Sequence, residues 1–171
     1  MRKEDQELIL QMVSAPGSPA TATPDEILVH FGETDGIKLG SRLLNMAVEH
    51  NDADELELSL IVCSVFGFDD RSLPILCELE SEAWHHSHED IVQVISAGKD
   101  PRFTETLYHA TQWVPDYLAF DEHRALAVKA IWGLGPTPGR AAQKAIDRLS
   151  LSDEEVIREA ATQQLDRRRS S

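Results

Sequence analysis

Two stretches decide how this chain folds: Glu122-His-Arg-Ala-Leu-Ala-Val-Lys-Ala-Ile-Trp-Gly-Leu-Gly135 and Ser152-Asp-Glu-Glu-Val-Ile-Arg-Glu-Ala-Ala-Thr-Gln-Gln-Leu165. In the first, Ala127, Ala130, Ile131 and Leu134 recur at i, i+3, i+4 and i+7, the spacing of one helical face. In the second, Ile157, Ala160, Ala161 and Leu165 do nearly the same. Ser152 and Glu155 stand three apart just before the apolar run, the pattern of a capping box. Ala127 and Ala161 are 34 residues apart, so the two stretches read as copies of one helical unit.

The same period runs outward. Leu43, Leu44 and Ala47 mark a helix from about residue 36. Leu58, Ile61, Val62 and Val65 mark the next, although Glu55–Leu60 also alternates with period two and a strand is an alternative there. Asp69-Asp70 opens a helix with Leu73, Leu76 and Cys77. Ser87-His88-Glu89-Asp90 opens one with Ile91, Val94 and Ile95, and Asp100-Pro101 opens one with Phe103 and Leu107. Asp121 and Thr137-Pro138 open two more. Leu76 and Leu107 are 31 residues apart and Leu107 and Ile146 are 39 apart, the extra length lying in the connection 114–120. Helix pairs repeating every 30 to 40 residues imply an all-α chain of about ten helices stacked as a solenoid. Residues 1–35, interrupted at Ser14-Ala-Pro-Gly-Ser-Pro19, fall outside that repeat and read as N-terminal helices or a cap on a 36–171 repeat domain.

The chain of 171 residues is long enough for one domain without a disulfide or metal staple. Its two cysteines, Cys63 and Cys77, lie in apolar runs and read as core thiols of a reduced, cytoplasmic protein. No apolar run reaches the length of a membrane span, and the charged start has no signal core. Thirty acids against sixteen bases give −14, which argues against nucleic acid and permits a basic protein partner. Residues 51–124 hold sixteen acids and four bases, and 125–171 hold six acids and eight bases. Acids in first turns answer the helix dipole, but Glu78, Glu80, Glu82, Glu105 and Asp116 cap nothing evident in the sequence.

Catalytic signals are weak. No GxSxG, CxxC, GxxxxGK or GxGxxG occurs. The cluster Trp84-His-His-Ser-His-Glu-Asp90 holds imidazoles and carboxylates, yet it is not HExxH, and helix-end histidines are the simpler reading. The expectation is therefore no enzyme, no metal and no cofactor. Trp132 reads as core. Trp84 and Trp113 lie at helix ends beside charge, as interface anchors do, and Tyr117 and Phe120 fall in the long connection.

The stretches at 122–135 and 152–165, with Asp100-Pro-Arg-Phe-Thr-Glu-Thr-Leu-Tyr-His-Ala-Thr-Gln112, resemble the HEAT-repeat family, particularly its short, PBS-lyase-like bacterial form. The resemblance covers 70–168 well and 36–68 weakly. It implies a short right-handed α-solenoid of antiparallel helix pairs whose second helices, near 52–67, 88–98, 122–134 and 153–167, line one face. Their leading ends would form an acidic edge. The stretch from 69 onward also loosely resembles bacterial immunity proteins of polymorphic toxin systems. That likeness implies a protein that covers the basic cleft of a cognate nuclease-like or deaminase-like toxin, with an intracellular scaffold or adaptor as the alternative. The expected contact residues are Asp52, Asp54, Glu55, Asp69, Asp70, Trp84, His88, Glu89, Asp90, Trp113, Asp116, Tyr117, Asp121 and Glu122.

Overall fold

The computed structural model describes residues 1–14, 17 and 19–170, so the proline- and glycine-rich break at 14–19 lies partly outside the described residues. The described chain is all-helical: α1 (Lys3–Leu10), α2 (Pro24–Phe31), α3 (Gly36–His50), α4 (Ala53–Phe66), α5 (Ser72–Leu79), α6 (His88–Ala97), α7 (Thr104–Ala110), α8 (Ala125–Leu134), α9 (Arg140–Leu149) and α10 (Glu155–Ser170). Short 3₁₀ turns occupy Pro101–Phe103 and Asp116–Leu118. The Glu55–Leu60 alternation sits inside α4, because the apolar pattern runs on to Phe66 and both faces of that helix are covered. No described helix is long and apolar enough to cross a membrane.

The chain divides into two compact units, residues 1–75 and 76–171. In the first, α3 and α4 form a helical hairpin across Asn51-Asp52. Asn51 takes the left-handed conformation at φ 49°, ending α3, and Asp52 Oδ1 accepts from Glu55 N at 2.9 Å, starting α4. The helices touch closely because α3 carries Gly40, where a Cβ would stand 2.7 Å from Cys63 Sγ. Ile9 and Ile27 share one buried core with Leu39, Leu43, Leu58 and Val62, so α1 and α2 pack into the same unit as α3 and α4.

In the second unit α8 is central and packs on α6, α7, α9 and α10. Leu126, Ala127, Ala130, Ile131 and Leu134 are buried on it. Each fully buried leucine or isoleucine contributes about 1.5–3 kcal/mol. Gly133 lets α6 approach, since a Cβ there would meet Ser96 Oγ at 2.0 Å. The packing forms two rows, with α6, α8 and α10 in contact in sequence and α7 beside α9.

Several caps differ from their sequence reading. Thr137 does not open α9; its hydroxyl donates to Gly133 O at 2.8 Å, closing α8, and α9 starts after Gly139 without a side-chain cap. Ser87 makes no side-chain cap bond to α6: at φ −92° and ψ 20° its backbone lacks the extended geometry of a cap residue, and its N–H donates to His85 Nδ1 at 3.2 Å. Asp69 caps α5 as expected, accepting from Ser72 N at 2.8 Å.

Candidate protein-docking site

The connection before α6 folds inward around two histidines. His85 and His88 are fully buried and their rings stack at 4.3 Å. The hydrogen bonds of His85 fix its tautomer: Nε2–H donates to Leu79 O at 2.9 Å, and Nδ1 accepts from Ser87 N. His88 Nε2–H donates to Glu82 O at 2.8 Å, which leaves Nδ1 facing the Tyr117 hydroxyl at 3.0 Å. Burial pushes both imidazoles down, His88 to about 4, with the bond to Glu82 opposing and the neighbouring histidines adding to the shift. Both rings are therefore neutral at pH 7.

The second wall is the chain from Trp113 to Arg124. Trp113 sets its edge 4.9 Å from His88 and lies parallel to His109 at 6.0 Å. The Tyr117 hydroxyl also reaches His86 O at 2.9 Å, and the Tyr117 ring lies 4.5 Å from His86. The connection is pinned at its far end as well. Arg124 occupies the left-handed region at φ 50°, a conformation that costs a non-glycine residue about 1 kcal/mol or more. Its guanidinium pairs with Glu154 and donates to Thr111 O at 3.2 Å, joining the two ends of the connection. Asp121 Oδ2 accepts from Ala125 N at 2.6 Å and starts α8.

A loop held this firmly nevertheless turns apolar side chains outward. Phe120 is 94% exposed, and Val114 and Tyr117 are also exposed. Asp116 and Glu122 are exposed beside them in the chain. Burial pushes the Tyr117 hydroxyl up, a hydrogen bond with the His88 backbone opposes, and the negative charges of Glu89 and Asp90 add to the rise, which places those two carboxylates near the ring. A cavity of about 160 Å³ opens among His86, Trp113, Asp116 and Tyr117.

The structure thus gathers Trp84, His88, Glu89, Asp90, Trp113, Asp116 and Tyr117 around one cluster, with Trp84 edge-on to His85 at 4.9 Å and Asp121 and Glu122 at the end of the same connection. Asp52, Asp54, Glu55, Asp69 and Asp70 belong to the other unit. Several of these residues are already committed. Asp52, Asp69 and Asp121 each give an oxygen to a helix start, and Glu89 pairs with Lys129 at 3.1 Å. His88 is buried and neutral, so it supports the cluster from within rather than charging an edge. Glu55 is 3% exposed, beside the Met1 amino group and 2.9 Å from His50 Nδ1. Glu80 is equally hidden, bound by His109. The expectation of a buried Trp132 is corrected: it is 43% exposed, because the core side of α8 is filled by alanine, leucine and isoleucine, and the Arg167 guanidinium covers its ring at 4.3 Å.

The residues missed by sequence reading are Val114 and the Glu80–His109 pair. Val114, Tyr117 and Phe120 recur every three residues in a connection interrupted by Pro115, and that spacing was the available signal. Nothing in sequence linked Glu80 to His109, which are 29 residues apart.

No protein-family model, curated protein or solved structure matches the chain. Function has to be read from the site itself. Both nitrogens of His85 and of His88 are engaged, and no group of three histidine, cysteine or acidic residues is placed to hold a metal among the described residues. Burial, with the charge of Asp69 adding, pushes the Cys63 thiol up to about 12, and burial raises Cys77 too, so neither is an activated nucleophile at neutral pH. What the cluster offers is a rigid frame, exposed aromatic and aliphatic tips, and carboxylates around them.

Proposed function

We propose that this chain is a non-enzymatic protein-binding module of HEAT-like solenoid form, and that it acts as an immunity protein by covering the basic cleft of a bacterial nuclease-like or deaminase-like toxin. The two-row packing of α6 to α10 supports the repeat reading of the second unit. One observation carries the function: Phe120, 94% exposed, stands on a connection that Arg124, Tyr117 and His88 hold in a single shape. Ordering a loop in advance removes part of the entropy cost of association. Burying the Phe120 ring against a partner gains about 1.5–3 kcal/mol, the scale of an interface hot spot.

The surrounding charge sets the partner's chemistry. The chain carries −14 overall, and Asp90, Asp116 and Glu122 are exposed in the neighbourhood of the cluster. A cationic cleft built for a polyanion would be drawn to such a surface, and complementary fields raise association rates by about 10–10³.

The test starts with cells expressing a toxin captured with this protein from its native host. Co-expressed wild-type protein protects them, and Phe120→Ala weakens the complex at least tenfold through faster dissociation. Asp116→Lys with Glu122→Lys slows association, and so does raising salt to about 0.5 M. Capture and protection unaffected by all three changes would overturn the proposal.

A further inference from the structure

The second unit carries another concavity, adjoining the start of the connection just described at His109 and Gln112. Thr104, Glu105, Tyr108, His109 and Gln112 of α7 and its following turn face Ala141, Lys144, Ala145 and Arg148 of α9 across a groove of about 740 Å³. The two alanines are the small residues of this lining, and Tyr108 is its aromatic member. Lys144 and Arg148 are both exposed, and neither pairs with a carboxylate among the described residues. Arg148 instead lies over the Tyr108 ring at 5.9 Å and reaches its hydroxyl at 3.5 Å. Glu105 is the one carboxylate in the lining, against the two exposed cations Lys144 and Arg148.

His109 is prepared from behind. Its Nδ1 meets Glu80 Oε2 at 2.8 Å, and Glu80 is 1% exposed with Oε1 unpartnered. Burial raises the Glu80 carboxyl and the His109 contact opposes that rise, as expected for a hidden carboxylate whose stabilising neighbour is one imidazole. With Nδ1 held by Glu80, Nε2 of the half-exposed His109 is the nitrogen left to accept a hydrogen bond at the groove.

We infer that the groove between α7 and α9 is a binding site for a small organic anion, whose acidic group meets Lys144 and Arg148 and whose apolar body lies on Ala141, Ala145 and Tyr108. Its size selects a small molecule over a protein. The lining of α9 spans two helical turns, about 10 Å, too short for the 20–30 residues a side that a stable protein interface needs. The volume falls within the usual range of small-molecule sites, about 300–1,000 Å³. The lining alanines and the tyrosine favour a ligand with a hydrocarbon part over a bare inorganic ion.

Amide NMR titrations of the full chain test this with 4-phenylbutyrate and phenyl phosphate, and with uncharged 4-phenylbutyramide for comparison. The expected result is saturable shifts confined to α7 and α9, with the acids binding at least tenfold tighter than the amide. The relative affinity of the two acids tells whether carboxylate or phosphate is the preferred head. Lys144→Met with Arg148→Met weakens the better acid at least fivefold, whereas Arg140→Met, on α9 but outside the lining, leaves it unchanged. Absence of shifts in α7 and α9 with both acids at 10 mM, equal binding of the amide, or shifts centred elsewhere would each overturn the inference. Failure here leaves the Phe120 surface untouched, because the two sites share no residue under test.

Discussion

Replacing His88 by glutamine converts the buried imidazole into a measurable pH dependence. In the folded chain His88 titrates near 4, against about 6.5 when unfolded. Between those values the unfolded state binds more protons than the native one, so stability is complete above pH 6.5 and is lost as pH falls toward 4. At pH 5 the unfolded imidazole is almost fully protonated and the native one about one-tenth protonated, which costs the native state about 2 kcal/mol relative to pH 7.5. Glutamine keeps an N–H that can reach Glu82 O and has no proton to gain. Glu80 works in the opposite sense: its raised carboxyl favours the native state as pH falls, and it is present in both proteins. Comparing the two proteins therefore cancels that contribution and isolates His88 with its stacked neighbour His85. Urea unfolding at pH 7.5 and 5.0, followed by tryptophan fluorescence, supplies the numbers. Wild type exceeds His88→Gln at pH 7.5, and its margin shrinks by about 2 kcal/mol at pH 5.0. A margin constant to within about 0.5 kcal/mol would refute the idea that His88 is held neutral by burial.

Gly133→Ala should destabilise the second unit by about 1–3 kcal/mol in thermal unfolding, because the new methyl meets Ser96, and Ser96→Gly in the same chain should recover most of that loss. Asp69→Ala removes the acceptor for Arg71 N, Ser72 N and Ser72 Oγ and should cost about 1–2 kcal/mol by urea unfolding. Phe120→Ala should leave the unfolding midpoint unchanged within about 0.5 kcal/mol, since the ring is solvated in the free protein, so any binding defect is a surface effect.

The helices were legible because their apolar positions repeat with one period and their ends carry strong local signals. Asp69 caps α5 as its place before an apolar run implied, and Thr23, Asp35 and Asp52 likewise cap through bonds within three residues, the range over which sequence carries such signals. Thr137 and Ser87 misled for the same reason. Each has a capping residue type within three positions of a helix start, but Thr137 turns its hydroxyl back to Gly133 O and Ser87 lacks the extended backbone of a cap residue. Trp132 misled because its neighbours Ala130, Ile131 and Leu134 are core. On a helix those positions define a face, and 132 falls off it.

The candidate site was legible in composition and illegible in role. Sequence placed aromatics and acids in the 84–122 region, yet it counted Glu80 and His88 among exposed polar groups when both are interior. The difference follows from long-range pairing. A histidine or glutamate enters a core only when a partner satisfies it, and here the partners are a backbone oxygen six residues back for His88 and a ring 29 residues on for Glu80. Removing buried carboxylates from the tally does not remove the case for electrostatic docking, because Asp90, Asp116 and Glu122 remain exposed in the second unit. It does shift the weight of that case. Lys129 and Arg124 already answer Glu89 and Glu154, so under the proposed docking role charge in this unit would steer a partner, while the three outward side chains at 114, 117 and 120 would supply most of what holds it.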